Sequence, residues 1–324
     1  MKMAIIGLGN FGKKIIHPIG HFYQNNEIKI TAVCDICEDE VKSVADQLST
    51  AGYTNYKDCI DKAPIDFVYI AAPPALHKEI ATYALQAGKH VLCEKPLAHN
   101  LEDASKLVEV ASSLSLINAM HFGQDYSPVF SSFRKHVQEG YLGNLEGIEL
   151  KMHYPSWPPT WQQTEWIMTR EQGGFLLEQG IHLIHFVRKL FGEISVVSSE
   201  ITYGNEGMGC ETDVNAEMDI AGGIPFTLLG KWPSDGEEIV SLTARGSEGT
   251  LMIENWRTLK SAKKGNELLE QEVDMPETWI IDEVLKAIHG EEANLTNFQD
   301  GFEALKVIDS IRIGIVDKKS ITKG

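Results

Sequence analysis

Lys95 and His182 are the side chains in this sequence best placed to move a proton, and each sits in a cluster that gives it something to act on. Lys95 belongs to Cys93-Glu94-Lys95-Pro96, just past a short apolar run. Strand ends in open α/β sheets are where ligands bind. A lysine there can donate hydrogen bonds to a reacting hydroxyl and stabilise developing negative charge on its oxygen. The tripeptide alone reads equally well as a surface ion pair between Glu94 and Lys95. His182 closes the run Gly173-Gly174-Phe175-Leu176-Leu177-Glu178-Gln179-Gly180-Ile181-His182. If this segment is helical, Glu178 and His182 are i and i+4 on one face. The carboxylate could then orient an imidazole whose pKa lies near neutrality, making His182 a candidate general base. His185 follows three residues on, so Glu178, His182 and His185 form a candidate zinc set, although no fourth ligand is evident. A satisfied helix histidine is the plainer alternative.

A third constellation, Gly7-Leu8-Gly9-Asn10-Phe11-Gly12, follows an apolar run at the N-terminus. In a strand–turn–helix context the first glycine allows the tight turn, the second lets a pyrophosphate approach, and the third lets helix pack on strand. The helix N-terminus then offers free N–H groups to phosphates. Asp35 lies about 20 residues further on, at the end of a second strand candidate, where an acid accepts hydrogen bonds from ribose hydroxyls. A 2′-phosphate would meet repulsion there. The following Ile36, Cys37 and Glu38 carry no positive charge, so NAD is expected over NADP.

Tyr154, Trp157, Trp161 and Trp166 cluster among Pro155, Pro158 and Pro159, in a segment that reads as a loop. Indole faces stack on sugar rings, and they equally fill cores or interfaces. Five cysteines, Cys34, Cys37, Cys59, Cys93 and Cys210, fit no disulfide framework, and the lone C-x-x-C of Cys34 and Cys37 lacks the second pair that a zinc ribbon needs. The formal charge of −17 and scattered basic residues argue against nucleic-acid binding. No apolar run is long enough to cross a bilayer, and the N-terminus lacks the pattern of a signal peptide. A cytoplasmic protein with a solvated acidic surface is expected.

These residues need a scaffold. At 324 residues the chain suggests roughly two domains. Up to about Met120, strand candidates (Met3–Gly7, Ile28–Asp35, Phe67–Ala71, Val91–Cys93, Leu116–Ala119) alternate with helical segments (Glu38–Thr50, His77–Gly88, Leu101–Ser113 capped by Asn100). That alternation predicts βαβ units and a parallel sheet. After a helix at Pro128–Glu139, period-2 alternation predicts a mainly antiparallel sheet from Leu145–Tyr154, Ile194–Tyr203, Asn215–Ile220, Phe226–Trp232, Ile239–Arg245 and Thr250–Glu254. Helices return at Trp279–His289 and Phe302–Val316. The expected division is an α/β dinucleotide-binding domain over residues 1–122 and an α+β substrate domain over residues 123–324.

Taken together, the sequence resembles the Gfo/Idh/MocA oxidoreductases, which include inositol and sugar dehydrogenases. The resemblance spans nearly the whole chain. It rests on the glycine loop, Ala71-Ala72-Pro73-Pro74-Ala75-Leu76-His77, Glu94-Lys95-Pro96, Gly173-Gly174 leading to Glu178 and His182, Gly246-Ser247-Glu248-Gly249-Thr250-Leu251, and Asp300-Gly301 opening the last long helix. It implies a Rossmann domain followed by an open antiparallel sheet that mediates a homodimer or homotetramer. It implies catalysis by Lys95, Glu178 and His182. It places NAD along Gly7, Gly9, Asn10, Phe11, Gly12, Asp35, Ala72, Pro73, His77, Glu94 and Lys95, and a sugar or polyol on Lys95, Trp161, Trp166 and His182, with no metal. Three positions depart from the usual pattern: Glu178 replaces an aspartate, Ile167 an arginine, and Met120-His121-Phe122-Gly123-Gln124 lacks a frequent arginine. The expected activity is hydride transfer between nicotinamide and a hydroxyl carbon. An NAD-dependent glycosidase, a non-catalytic NAD or sugar sensor, and a zinc hydrolase are the alternatives.

Overall fold

The computed structural model describes residues 1–17, 19, 27–160, 162–273 and 279–314. The chain forms two compact units: Met1–His121 with Ile281–Phe302, and Phe122–Ile280 with the residues from Glu303 on.

The first unit holds six parallel strands: β1 (Lys2–Ile6), β2 (Lys29–Cys34), β3 (Ala51–Tyr53), β4 (Phe67–Ile70), β5 (His90–Glu94) and β6 (Asn118–His121). Their order, β3-β2-β1-β4-β5-β6, is that of a Rossmann sheet. Phe67, Val68, Tyr69 and Ile70 are all buried, because helices cover both faces of a parallel sheet and leave no polar side. The register pairs Ile6 with Cys34 and with Ile70, Ile70 with Cys93, and Glu94 with His121. Gly7, Asp35, Ala71 and Glu94 therefore come out at one edge of the sheet. Helices α1 (Asn10–Lys14), α2 (Glu38–Leu48), α3 (Tyr56–Lys62), α4 (Pro74–Gln86) and α5 (Leu101–Ser112) connect the strands. Asn100 caps α5 as its position suggests, its side chain accepting from Asp103 N at 2.8 Å. Strand β3 and α3 carry no clear sequence signal: β3 is three residues long and has no fully buried side chain. Residues 281–302 follow the second unit in the chain but pack with the first, where Met120 N donates to Thr296 O at 2.8 Å.

The second unit is built on an eight-stranded mixed sheet, β14-β13-β12-β11-β7-β10-β9-β8. Its strands are β7 (Leu145–His153), β8 (Ile194–Tyr203), β9 (Glu211–Ile220), β10 (Ile224–Lys231), β11 (Ile239–Gly246), β12 (Gly249–Glu254), β13 (Thr258–Lys263) and β14 (Leu269–Gln271). Adjacent strands run antiparallel except β7 and β10. Strand β9 shows the logic of the layer. Val214, Ala216, Met218 and Ile220 are buried, while Asp213, Asn215, Glu217 and Asp219 alternate with them and face out. Helices α6 (Pro128–Gln138) and α7 (Ile181–Phe191) belong to this unit; later in the chain, α8 (Ile280–Ile288) lies almost wholly in the first unit and α9 (Phe298–Ile313) passes from the first to the second at Glu303. The sheet extends past the strands expected from the sequence, to β13 and β14, and the final helix begins four residues earlier than its pattern suggests.

Candidate active site

The glycine loop is held by contacts that exclude side chains. Gly7 has φ +97°, and a Cβ there would stand 2.5 Å from Ala71 O. A Cβ on Gly12 would stand 1.8 Å from Gly7 O, so only glycine lets α1 sit this close to β1. Gly9 is different: a Cβ there would meet no described atom within 4 Å. Open space over Gly9, beside a turn and at the start of α1, is what a pyrophosphate requires. Asp35 fixes the loop from the neighbouring strand end. Its Oδ2 accepts from Leu8 N at 2.7 Å and its Oδ1 from Cys37 N at 3.0 Å. Ile36 beside it is 92% exposed, and Cys37 and Glu38, which follow, carry no positive charge. These residues fit an NAD ribose and diphosphate.

Lys95 follows β5 in the interior, 7% exposed, with Nζ 5.6 Å from the centroid of the Phe11 ring. Glu94 is buried, and its Oε1 accepts from Tyr69 Oη at 2.6 Å and meets His121 Nδ1 at 2.6 Å. The isolated Glu94–Lys95 surface pair is thus not what the structure contains. Burial pushes the Glu94 carboxyl up, but the His121 charge, hydrogen bonds from His121 and Tyr69, and the Lys95 charge outweigh it and bring it down to about 2. A depressed carboxyl stabilises the fold above its ordinary value of 4.5, and that contribution is lost as pH falls from there to about 2. Relative to Glu94→Gln, wild type is therefore expected to lose about 3 kcal/mol of stability over that window. Urea titrations of both proteins between pH 5 and 2 check this; parallel pH curves would contradict it.

His77, fully buried, turns Nε2 to Ala72 O (2.8 Å) and Nδ1 to Pro96 O (2.7 Å). It ties the loop after β4 to the loop that carries Lys95. Its pKa is lowered, burial outweighing the two carbonyl contacts.

In the second unit, Gly173 and Gly174 let the chain turn against its neighbours. A Cβ on Gly173 would lie 2.1 Å from Ile167 O, and Gly174 has φ +97°. Ile167, which stands where relatives often carry arginine, is completely buried here. The segment that follows is not a regular α-helix, as i,i+4 spacing assumes. Leu176–Gly180 forms a π turn that passes into α7 at Ile181. A π turn bonds i to i+5 and is frequent at functional sites. Glu178 and His182 lie on either side of this junction. Glu178 is 2% exposed, and its Oε2 accepts from Gln162 Nε2 at 3.1 Å.

His182 is flanked by two rings set edge-on: Phe122 at 5.6 Å and 87°, and Trp256 at 6.1 Å and 80°. Phe122 in turn stacks on His185 at 4.2 Å and 15°. His185 is fully buried, with Nε2 3.0 Å from Asp125 Oδ2, and Lys189 Nζ lies 3.8 Å from the same oxygen. Burial raises the Asp125 carboxyl, but His185, Lys189 and Arg134 outweigh it and hold it below its ordinary value. His185 thus belongs to a buried pair, and among the described residues no three His, Cys, Asp or Glu side chains gather as a metal site. Trp157 is buried against Tyr154 (5.1 Å) and Phe175 (6.2 Å), which makes it a core residue. Trp166 is half-buried in a short 3₁₀ turn, Glu165–Met168. Trp161 lies outside the described residues.

Asp125, Gln162, Glu211 and Trp256 escaped the sequence reading. Trp256 had a local signal. Asn255 (φ +46°) and Trp256 (φ +68°) form the two central positions of a tight β12–β13 turn closed by Arg257 N to Glu254 O. A left-handed Trp is strained, and such strain persists where surroundings enforce it. The indole here packs on Phe130 as well as His182.

Known proteins share this architecture. Residues 1–122 match the family model described as an oxidoreductase family NAD-binding Rossmann fold, and residues 130–252 match the GFO/IDH/MocA C-terminal domain. The chain belongs to the GFO/IDH/MocA oxidoreductase family. The 2,7-anhydro-N-acetylneuraminate hydratase of Escherichia coli is 26% identical over 274 residues, 82% of this chain and 70% of that protein. The myo-inositol 2-dehydrogenase of Thermotoga maritima is 26% identical over 194 residues, 60% of this chain and 55% of that one. The chain spans about half the length of the first curated relatives that it matches, 53% and 40%. A levoglucosan dehydrogenase solved with NADH and levoglucosan superposes with a TM-score of 0.84 at 19% identity, covering 98% of this chain and 99% of that one, a likeness of fold.

Proposed function

We propose that this protein is an NAD-dependent oxidoreductase that moves a hydride between nicotinamide and a hydroxyl carbon of a sugar, inositol or related polyol. The observation that carries the reading is the glycine loop, with its opening at Gly9 and Asp35 anchored beside it. NAD would lie along Gly7–Gly12, Asp35, Ala72, Pro73 and Glu94, and when bound it supplies the hydride acceptor. Lys95 donates a hydrogen bond to the reacting oxygen and stabilises it as its proton departs. His182 accepts that proton. Glu178 stabilises the imidazolium that results, and Phe122 and Trp256 hold the ring in plane. General acid–base catalysis of this kind contributes about 10²–10⁴-fold. We further propose that the protein acts in the cytoplasm as a homo-oligomer joined through the second unit's sheet, and that Trp161 and Trp166 contact substrate.

A second reading keeps the same residues in a redox-neutral cycle, such as hydration or glycoside cleavage through transient oxidation. Similarity to a hydratase over 82% of the chain favours retaining it. Release of free sugar from a nitrophenyl glycoside without net NADH would support it over the first.

Asp35 makes cofactor preference the first test. NAD is expected to bind at least about tenfold tighter than NADP, or about 1.4 kcal/mol. Calorimetry with both cofactors measures the ratio, and Asp35→Ser with Ile36→Arg should reverse it. Equal affinities would remove Asp35 from the ribose.

A further inference from the structure

Glu211 opens β9 and is completely buried. Its Oε1 accepts a hydrogen bond from Leu176 N at 2.7 Å. Leu176 begins the π turn that leads into α7, so its amide is one of those a helical ladder leaves unsatisfied at its start. A strand residue thus caps the segment that presents Glu178 and His182. The backbone gives the carboxyl room: Gly174 approaches so closely that a Cβ there would stand 2.2 Å from Glu211 Oε2. Oε2 itself is buried and meets no hydrogen-bond partner among the described residues. A bare buried carboxylate oxygen is costly, and a neutral carboxyl much less so.

Resting on the oxidoreductase reading above, we propose that Glu211 is a positioning residue for this site, its carboxyl anchoring in neutral form the first turn of the segment that presents Glu178 and His182. Two buried carboxyls in one region cannot both ionise without mutual repulsion. A neutral Glu211 spares the segment that presents Glu178 and His182 a buried charge reaching it from β9. The groups around Glu211 agree with this. Burial raises its pKa to about 7, with Arg312 and the Leu176 amide pulling it down and Glu178 pushing it up. The Cys210 thiol is pushed up to about 12 and the Tyr154 phenol well above its ordinary value, each chiefly by burial, so neither neighbour offers a charge that would hold Glu211 ionised.

Glu211→Gln keeps a neutral acceptor for Leu176 N, whereas Glu211→Ala removes it. Exchange of the Leu176 amide is expected to quicken about 5- to 10-fold in the alanine variant and to stay at the wild-type rate in the glutamine variant. A folded carboxyl raised from 4.5 to about 7 stabilises the protein below pH 4.5, and that stability drains away as pH rises to 7. Wild type should therefore lose stability over that window relative to Glu211→Gln. With a polyol substrate, Glu211→Ala should lower kcat with KM unchanged, and Glu211→Gln should restore kcat. Identical pH–stability curves for wild type and Glu211→Gln would overturn the neutral carboxyl. Unchanged Leu176 exchange in Glu211→Ala would overturn the anchoring. If no polyol is turned over by wild type, the oxidoreductase reading fails, while exchange and pH–stability still decide what Glu211 does.

Discussion

Replacing Lys95 by alanine lowers turnover of a polyol substrate by about 10²–10⁴-fold while leaving NAD affinity within a few-fold. The size of the effect follows from where Lys95 sits. It is a cation in the interior, at the end of β5, with Glu94 beside it already engaged by Tyr69 and His121. Its ammonium is held in the interior, where it can stabilise negative charge that develops on a substrate oxygen. A donor in a water-poor site acts more strongly than one in water, because the surrounding dielectric is lower. Cofactor affinity depends mainly on the glycine loop and on Asp35, which the Leu8 and Cys37 amides hold in place. Steady-state kinetics and calorimetry separate the two quantities. Near-normal kcat in Lys95→Ala would remove Lys95 from the chemistry.

Glu178→Gln is expected to lower activity severely and to change its pH dependence. The amide keeps the shape, so the Gln162 contact can re-form, but it removes a negative charge on the helical segment of His182. A nearby carboxylate favours the protonated imidazole. Wild-type rate should fall in acid as His182 takes up a proton and can no longer act as base. In the glutamine variant that fall moves to lower pH, because a neutral neighbour no longer holds the imidazolium. Glu178→Asp should also cost activity even though aspartate is usual among relatives. Aspartate draws the carboxylate back by about one C–C bond from Gln162, and catalytic geometry is sensitive at the scale of about 1 Å. An unchanged pH–rate profile in Glu178→Gln would break the proposed link between Glu178 and His182.

The parts of this protein that were legible in its sequence are those governed by local rules. Glycines at 7 and 12 mark places where backbone meets backbone, and continuous apolar strands mark a sheet covered on both faces. Alternation along β9 marks a sheet with one wet face. The missed pieces depend on distant partners. Ala51–Tyr53 becomes a strand because β2 offers an edge, not because three small or half-exposed residues ask for one. The π turn at Leu176–Gly180 is met at its first residue by Glu211, which accepts from Leu176 N from a strand 35 residues away, a contact that no helical periodicity encodes. Asp125 reads as an ordinary loop acid until the fold brings His185 and Lys189 to it. Ile167 stands out in the sequence only as a departure from the family pattern; in the fold its side chain is buried and its backbone accepts from Gly174 N at 2.9 Å, so it serves packing.

The most direct test of the central claim follows the hydrogen itself. A panel of inositols, sugars and polyols is screened with NAD for NADH formation. The best substrate is then prepared with deuterium on its reacting carbon. The account predicts that deuterium appears in the reduced nicotinamide, that the rate slows with the label, and that Lys95→Ala and His182→Ala abolish both NADH formation and label transfer. Reduced cofactor without label, or no NADH from any member of the panel by a protein that binds NAD, would contradict it.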